Sequence, residues 1–406
     1  MTDRNENRPE YKKTQVGWIP QNWEVRPFET FLKRVRKKLE VEPDREYREI
    51  GIRSHGKGIF HKNPIIGNQL GNKSVFWVKT PTLIFNIVFA WEQAVAVTGK
   101  KEQGMIASHR FPTYAVNDNN IDLNFVRYYF LTKRGKYLLG LASPGGAGRN
   151  KTLGQNELNQ LPIIIPPLVE QKKIAEILST WDNAIEQTLK LIDAKKRRKK
   201  ALMQQLLTGK KRLPGFKEEW KEYPMGELFK ERRETNYSHL SLLAITGNQG
   251  IIPASEIDRK DSSNEDKSKY KRIMPGDIGY NTMRMWQGVS AVSTLEGIVS
   301  PAYTICILQN TVDVNFMGYF FKFPTVINLF WRYSQRLVSD TLNLKYNNFS
   351  EIKVLIPPKE EQRRIAQILS TADNGIYQLE ARLKVLEKQK RGLMQKLLTG
   401  EVRVKL

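Results

Sequence analysis

At 406 residues the chain exceeds what one hydrophobic core usually organises, so two or three packed units are expected, and 40% hydrophobic residues, with 17 Phe, 15 Tyr and 8 Trp, exclude wholesale disorder. Lys and Arg number 66 against 42 Asp and Glu, a formal net charge of +24 that calls for a polyanionic partner, nucleic acid first, because each neutralised phosphate releases condensed counterions. A basic membrane-surface protein is the rival class; the absence of a long apolar run, of a signal peptide ahead of Gly17 and of a lipidation motif argues against it, and a soluble, cytoplasmic protein is expected.

In chain order, the first landmarks are Gly17-Trp18-Ile19-Pro20, Trp23 and Phe28. Short β-rich stretches follow at Ser74-Val75-Phe76-Trp77-Val78 and Thr82-Leu83-Ile84-Phe85, with Asn86 and Trp91 just beyond and a helix predicted over residues 125–132. Pro166-Pro167 cannot lie inside a helix and so sets the start of a long one, residues 170–208, which the C-cap signal Thr208-Gly209 ends. Leu213-Pro214-Gly215-Phe216, Trp220 and Met225 then open a second passage through the same scheme. It contains Asn281 and Trp286, the β-rich stretch Ala302-Tyr303-Thr304-Ile305-Cys306-Ile307, a helical stretch at residues 316–321, Pro357-Pro358 and a second long helix that ends at Thr399-Gly400.

The chain is therefore written twice. Glu170-Gln171, Ile174-Ala175, Ile177-Leu178-Ser179-Thr180 and Asp182-Asn183 return as Glu361-Gln362, Ile365-Ala366, Ile368-Leu369-Ser370-Thr371 and Asp373-Asn374, each displaced by 191 residues. Residues 122–130 (DLNFVRYYF) return as 313–321 (DVNFMGYFF) at the same displacement. The globular parts differ far more than the helices. Two readers of different targets would produce that contrast, and so would one duplication that drifted where packing constrained it least.

Along the first helix, apolar steps alternate by four and three through Ile174, Leu178, Trp181, Ile185, Thr188, Ile192, Lys195, Lys199, Leu202 and Leu206. Along the second they run through Ile365, Leu369, Ala372, Ile376, Leu379, Leu383, Leu386, Lys390, Leu393 and Leu397. This is a heptad seam. The most economical partner for each helix is the other in an antiparallel pair, roughly 60 Å long at the α-helical rise, that would hold two domains apart; a self-dimer or a partner's bundle is the competing arrangement. The run Lys195-Lys196-Arg197-Arg198-Lys199-Lys200 interrupts the seam, and a solvated face, DNA phosphates or an acidic patch on a partner would each account for it.

The fold class expected is α+β: two globular domains separated by an antiparallel pair of long coiled-coil helices, with an internal pseudo-twofold repeat. Its segments are residues 1–165, 166–209, 210–356 and 357–406. Gly-rich and polar connections at residues 54–58, 143–151, 247–250 and 284–288 can carry base-reading side chains on a rigid frame. Arg and Lys pair with guanine edges and Asn or Gln with adenine. The candidates are Arg53, His55, Lys57, Arg110, Arg149, Asn150 and Lys151 in the first domain, and Asn248, Gln249, Arg284, Gln287, Arg336 and Lys345 in the second. The recurring Asn86 with Trp91 and Asn281 with Trp286 read as core, with stacking on a base as the minority alternative.

No catalytic centre is legible. Cys306 is the only cysteine, and His55, His61, His109 and His239 lack metal-ligand spacing, so neither a disulfide nor a protein-built metal site is expected. The chain has no G-x-x-x-x-G-K-[ST] phosphate loop, and neither Pro-Pro pair belongs to an Asn-Pro-Pro-Tyr or Asp-Pro-Pro-Tyr methyltransferase element. The glycines of Pro144-Gly145-Gly146-Ala147-Gly148 form a turn-prone loop rather than a dinucleotide fingerprint. Glu170-Gln171-Lys172 has the look of a nuclease acid-x-Lys element, but its copy reads Glu361-Gln362-Arg363, and negative charge at a helix N-terminus is the simpler reading.

A Trp-containing opening, a variable domain, then L-P-x-x-x-P-P-x-x-E-Q-x-x-I-x-x-I-L and a long helix, all twice over, resembles the specificity subunit of type I restriction-modification systems. The resemblance spans essentially the whole chain, and is most specific from Ile165-Pro166-Pro167 to Leu178 and from Ile356-Pro357-Pro358 to Leu369, with Arg212-Leu213-Pro214-Gly215-Phe216 and Trp220 opening the second half. It implies two target-recognition domains, each reading one half of an interrupted duplex-DNA site. It further implies helices that dock two methyltransferase subunits carrying S-adenosylmethionine, restriction subunits with translocase and nuclease activity that complete the complex, and no cofactor or catalysis in this chain itself. The alternative from another class is a stand-alone nuclease or methyltransferase with an unfamiliar centre.

Overall fold

In the computed structural model of the protein, each Pro-Pro pair is followed at once by a long helix. Residues 6, 8–71, 73–145, 151–257, 265–338 and 341–405 are described. The helices are α1 (Leu123–Leu131), α2 (Lys133–Leu141), α3 (Gln155–Asn159), α4 (Leu168–Leu206), α5 (Met225–Leu228), α6 (Val314–Phe320), α7 (Pro324–Tyr333), α8 (Tyr346–Ser350) and α9 (Lys359–Leu398). Contacts divide the chain into unit 1, Met1–Leu189 with Arg382–Leu406, and unit 2, Lys190–Ala381. Each unit thus combines one globular part with the start of one long helix and the end of the other.

The two units carry the same sheet. In unit 1 the strand order is Val95–Val97, Leu83–Phe85, Thr113–Val116, Leu32–Val35; in unit 2 it is Ser290–Val292, Ile278–Asn281, Tyr303–Leu308, Phe229–Glu231. Both sheets are antiparallel throughout. Aromatic rings fill the space beneath. Phe28, Phe85, Tyr114 and Phe130 meet edge-on or tilted in unit 1, with Phe28 and Tyr114 centroids 5.1 Å apart. Phe229, Phe321, Phe330 and Phe349 do the same in unit 2. The predicted helix at residues 125–132 is α1, which starts earlier because Asp122 caps it, its Oδ1 accepting the Phe125 N–H at 2.8 Å; Asp313 caps α6 identically through Phe316 at 2.9 Å.

Glu170 and Glu361 lie in the first turns of α4 and α9, as the sequence suggested, but they are more than helix-terminal charges. Both are buried, at 1% and 0% exposure. Glu170 accepts the Trp23 indole N–H at 2.9 Å and a two-pronged contact from Arg403 at 2.7 and 2.8 Å. Glu361 accepts the Trp220 indole N–H at 3.2 Å and the same fork from Arg212, both at 2.8 Å. The reason is local: Gly209 and Gly400 adopt left-handed φ values of 69° and 73°, which turn the chain back so that the arginine three residues later reaches a carboxylate. A side chain at Gly400 would collide with Pro20 at 2.7 Å, and Gly209 lies against Trp220. Each neighbouring glutamine is equally committed. Gln171 accepts the Asp122 N–H and donates to Asn120 and Pro166 carbonyls, and Gln362 does so with Asp313, Thr311 and Pro357.

Within unit 1, the start of α4 runs antiparallel to the end of α9; within unit 2, the end of α4 runs antiparallel to the start of α9. No seam position named from the sequence apart from Lys195 is exposed: Ile174, Leu178, Ile192, Leu206, Ile365, Leu369, Ile376 and Leu397 are buried and Trp181, Ile185, Leu202, Leu379, Leu383, Leu386 and Leu393 half-buried. The basic run is not one solvated face. Lys199 donates to both carboxylate oxygens of Asp373, at 2.6 and 2.8 Å, and lies over the Tyr319 ring, whose hydroxyl donates to the same carboxylate at 2.8 Å. Lys390, Asp182 and Tyr128 form the same joint in unit 1, where Arg127 also approaches at 3.3 Å. Lys196 pairs with Glu380 and Arg197 with Asp193, which leaves Lys195, Arg198 and Lys200 exposed without an ion-pair partner among the described residues.

Burial alone would push the Asp182 carboxyl up, but hydrogen bonds from Lys390 and Tyr128 and the nearby cations overcome it and hold it below the usual range. A depressed folded value means that the joint's contribution is present above about pH 4 and is lost as pH falls through the folded value. Asp182→Asn is therefore expected to lower unfolding stability by about 0.5–1 kcal/mol at neutral pH, since the Asp182 side chain is 38% exposed and solvent screens it, and to remove part of the acid sensitivity below pH 4. Chemical denaturation at pH 7 and pH 3.5 checks this, and an equal difference between variant and wild type at both pH values would refute it.

Candidate nucleic-acid interface

Unit 1 brings four separate stretches together. The hairpin of Ile50–Ile52 and Ile59–His61 carries residues 53–58 at its tip. Its tip is bonded to the loop after Leu83–Phe85: the His55 and Gly56 N–H groups donate to Glu92 and Gln93 carbonyls at 2.7 and 3.1 Å. Ile87 of that loop donates to the Arg110 carbonyl and accepts from Leu153, which adds residues 110 and 151–153. The hairpin and the loop after Leu83–Phe85, with Phe111, line a cleft of about 450 Å³ whose wall includes Phe60 and Phe89 and whose rim carries Arg53, His55, Lys57 and Lys62. Lys62 is tied to Glu49 at 3.0 Å, whereas Arg53 is exposed and held over the Phe60 ring at 4.9 Å, with no ion-pair partner among the described residues. Stacking fixes a guanidinium plane without neutralising it, as base or phosphate recognition requires.

Unit 2 assembles the corresponding stretches with different chemistry. The hairpin of Leu243–Ile245 and Ile251–Pro253 presents Asn248 and Gln249, both exposed. The loop after Ile278–Asn281 presents Arg284 and Gln287, and its Thr282 carbonyl accepts from Leu344, next to exposed Lys345. Lys322 joins hairpin to loop, its ammonium donating to the Gly288 and Gly247 carbonyls at 2.7 and 3.3 Å. Burial lowers its pKa from the usual lysine value. At the matching place in unit 1, 191 residues earlier, Leu131 instead packs on Gly56. No sequence signal singled out Lys322, because its partners are backbone carbonyls.

The geometry on both sides is thus one frame with unlike exposed side chains. The profile of the type I restriction modification DNA specificity domain matches residues 55–193 and again 217–388. The chain belongs to this family. The two matched stretches together exceed half its length, and each covers most or all of one interface and part of one long helix. The type I restriction enzyme MjaVIII specificity subunit of Methanocaldococcus jannaschii is 25% identical over 95% of this chain and 94% of its own. Two solved structures share the fold. The HsdS subunit of Thermoanaerobacter tengcongensis has a TM-score of 0.52 at 16% identity, covering 95% of this chain and 98% of its own, and the type I S subunit of M. genitalium has a TM-score of 0.57 at 15% identity over the whole of both chains.

Of the residues expected in the two specificity domains to touch DNA, Arg53, His55, Lys57, Arg110 and Lys151 lie on the converging stretches of unit 1, and Asn248, Gln249, Arg284, Gln287 and Lys345 on those of unit 2. Arg149 and Asn150 lie outside the described residues; Arg336 lies in the strand Gln335–Val338, its side chain outside the description. Lys151 sits over the Trp91 ring at 5.5 Å. Asn86 is buried and Trp91, Asn281 and Trp286 are half-buried, so core packing does not describe all four. They clip the interface loops: Asn86 and Asn281 accept the Val88 and Met283 N–H groups, and Trp91 and Trp286 donate to the same two residues' carbonyls. Among the described residues no group of three metal-ligating side chains occurs, and no helix is long and apolar enough to cross a membrane.

Proposed function

We propose that this chain is the DNA-recognition subunit of a type I restriction-modification complex, with unit 1 and unit 2 each reading one half of a two-part duplex target. The observation that carries the reading is the shared frame with exchanged contact chemistry: cations and aromatic rings at the unit 1 interface, amides with one arginine and one lysine at that of unit 2. A protein that bound the same element twice would have no use for that difference. The catalytic work belongs to partners. Methyltransferase subunits carrying S-adenosylmethionine dock on α4 and α9, restriction subunits complete the assembly, and Lys195, Arg198 and Lys200 are available to DNA phosphates. The complex acts in the cytoplasm.

Mapping methylated adenines in DNA from cells that express this chain with its methyltransferase partner tests the reading directly. The expected result is one asymmetric sequence in two defined blocks, separated by bases of any identity. A single uninterrupted block would overturn it. The competing assignment, a stand-alone nuclease or methyltransferase, requires the purified chain to cut or methylate DNA by itself with Mg²⁺ or S-adenosylmethionine; inactivity restored by the partner supports the recognition role.

A further inference from the structure

The interface loops of the two units are the same object to the level of single hydrogen bonds. In unit 1 the loop begins at Asn86, in unit 2 at Asn281, and in each the clip closes on the residue two places later. The next residue is Phe89 in one and Arg284 in the other. Their backbones nearly coincide, with φ, ψ of −123°, 17° for Phe89 and −131°, 10° for Arg284. Each carbonyl is taken by the N–H five residues later, Ala94 at 3.1 Å and Val289 at 3.2 Å. Each loop closes through a left-handed residue, Gln93 at φ 62° and Gly288 at φ 74°. The frame therefore commits the N–H and the carbonyl of this position in both units and leaves its side chain free to vary.

The two side chains are exposed and chemically opposite. Phe89, 39% exposed, stands with Phe60 and Phe111 around the cleft of unit 1. Arg284 is exposed and has no ion-pair partner among the described residues. A large apolar ring left in solvent beside a cationic rim suits the one apolar feature that a duplex groove offers, the thymine 5-methyl group. An unpaired guanidinium suits the two acceptors of a guanine edge, O6 and N7.

We propose that Phe89 and Arg284 are corresponding specificity-determining residues, Phe89 reading the 5-methyl group of a thymine in one half of the target and Arg284 the O6 and N7 edge of a guanine in the other. The inference rests on the recognition role proposed above. The test uses the complete methyltransferase complex and synthetic duplexes bearing its mapped target. Exchanging one thymine for deoxyuridine removes a single methyl group and is expected to weaken wild-type binding about fourfold at one position. Exchanging one guanine in the other half for 7-deazaguanine removes N7 and is expected to weaken it about tenfold. Phe89→Ala is expected to become indifferent to the first exchange only, and Arg284→Ala to the second only.

The wild-type arm does not depend on any variant folding. Indifference of the wild type to every thymine methyl, or to every guanine N7, overturns the corresponding assignment, as does a variant that responds to each modified base as the wild type does. A wild-type complex whose mapped target is not in two parts would instead remove the recognition role on which the inference stands.

Discussion

Glu361→Ala is expected to destabilise unit 2 by about 3 kcal/mol, seen in calorimetry as a fall of about 6–12 °C in the melting of that unit. The buried carboxylate satisfies two side chains at once. Without it the Arg212 guanidinium, whose side chain is 30% exposed, keeps only the Glu218 carbonyl, and the Trp220 indole N–H loses its acceptor. An arginine keeps its proton throughout the accessible pH range, so the cation cannot relieve the loss by giving it up. Arg212 also comes from the segment that leaves α4, so the contact ties that turn to the start of α9. Glu361→Gln, which keeps an acceptor but not the charge, should show a smaller loss. If Glu361→Ala melts within a degree of wild type, the node contributes nothing to folding and its recurrence at Glu170 needs another explanation.

Removing Arg53, Lys57 and Arg110 together by alanine substitution is expected to weaken target binding by the methyltransferase complex by about two to three orders of magnitude. All three are exposed on the converging stretches of unit 1 and lack a carboxylate partner among the described residues, so their charge is not already used. The slope of log affinity against log salt should fall by up to about three if all three meet phosphates, and by less where a side chain pairs with a base instead. Replacing Lys195, Arg198 and Lys200 is the contrasting case. Loss there should lower the salt slope while the methylated sequence stays unchanged, because phosphate contacts carry no sequence information. Affinity within about threefold of wild type for the Arg53, Lys57 and Arg110 variant would place the interface of unit 1 elsewhere.

The joints explain why the conserved-looking landmarks of the repeat recur. Tyr128 and Tyr319, Asp182 and Asp373, and Lys199 and Lys390 are related by the same displacement of 191 residues that relates the helices. In each unit the lysine comes from the helix of the other repeat, so neither repeat completes its own joint. Burial and the Asp182 or Asp373 carboxylate push the two tyrosine hydroxyls well above the usual tyrosine pKa, which keeps them as donors across the physiological range. The globular parts are thereby pinned to α4 and α9 through α1 and α6, by contacts that owe nothing to the residues of the interface loops.

The duplication, the limits of α4 and α9 and the seam along them follow from the sequence by itself. Proline punctuation, Thr-Gly endings and three-four apolar spacing are correlations between near neighbours, and an exact displacement can be counted without knowing any contact. The same local signals located the connections that carry His55 and Arg284. Only the tertiary structure decided which side chains share a node. Trp23 lies 147 residues from Glu170, and Arg403 lies 233 residues from it, so their meeting depends on chain reversals that no periodicity records. The interface loops show the same division. Asn86 and Trp91 are visible as a recurrence, but a clip is defined by where an indole N–H points. That direction is set by packing among residues far apart in the chain, which is why these residues, like Lys199 and Lys322, acquired their roles only in the folded molecule.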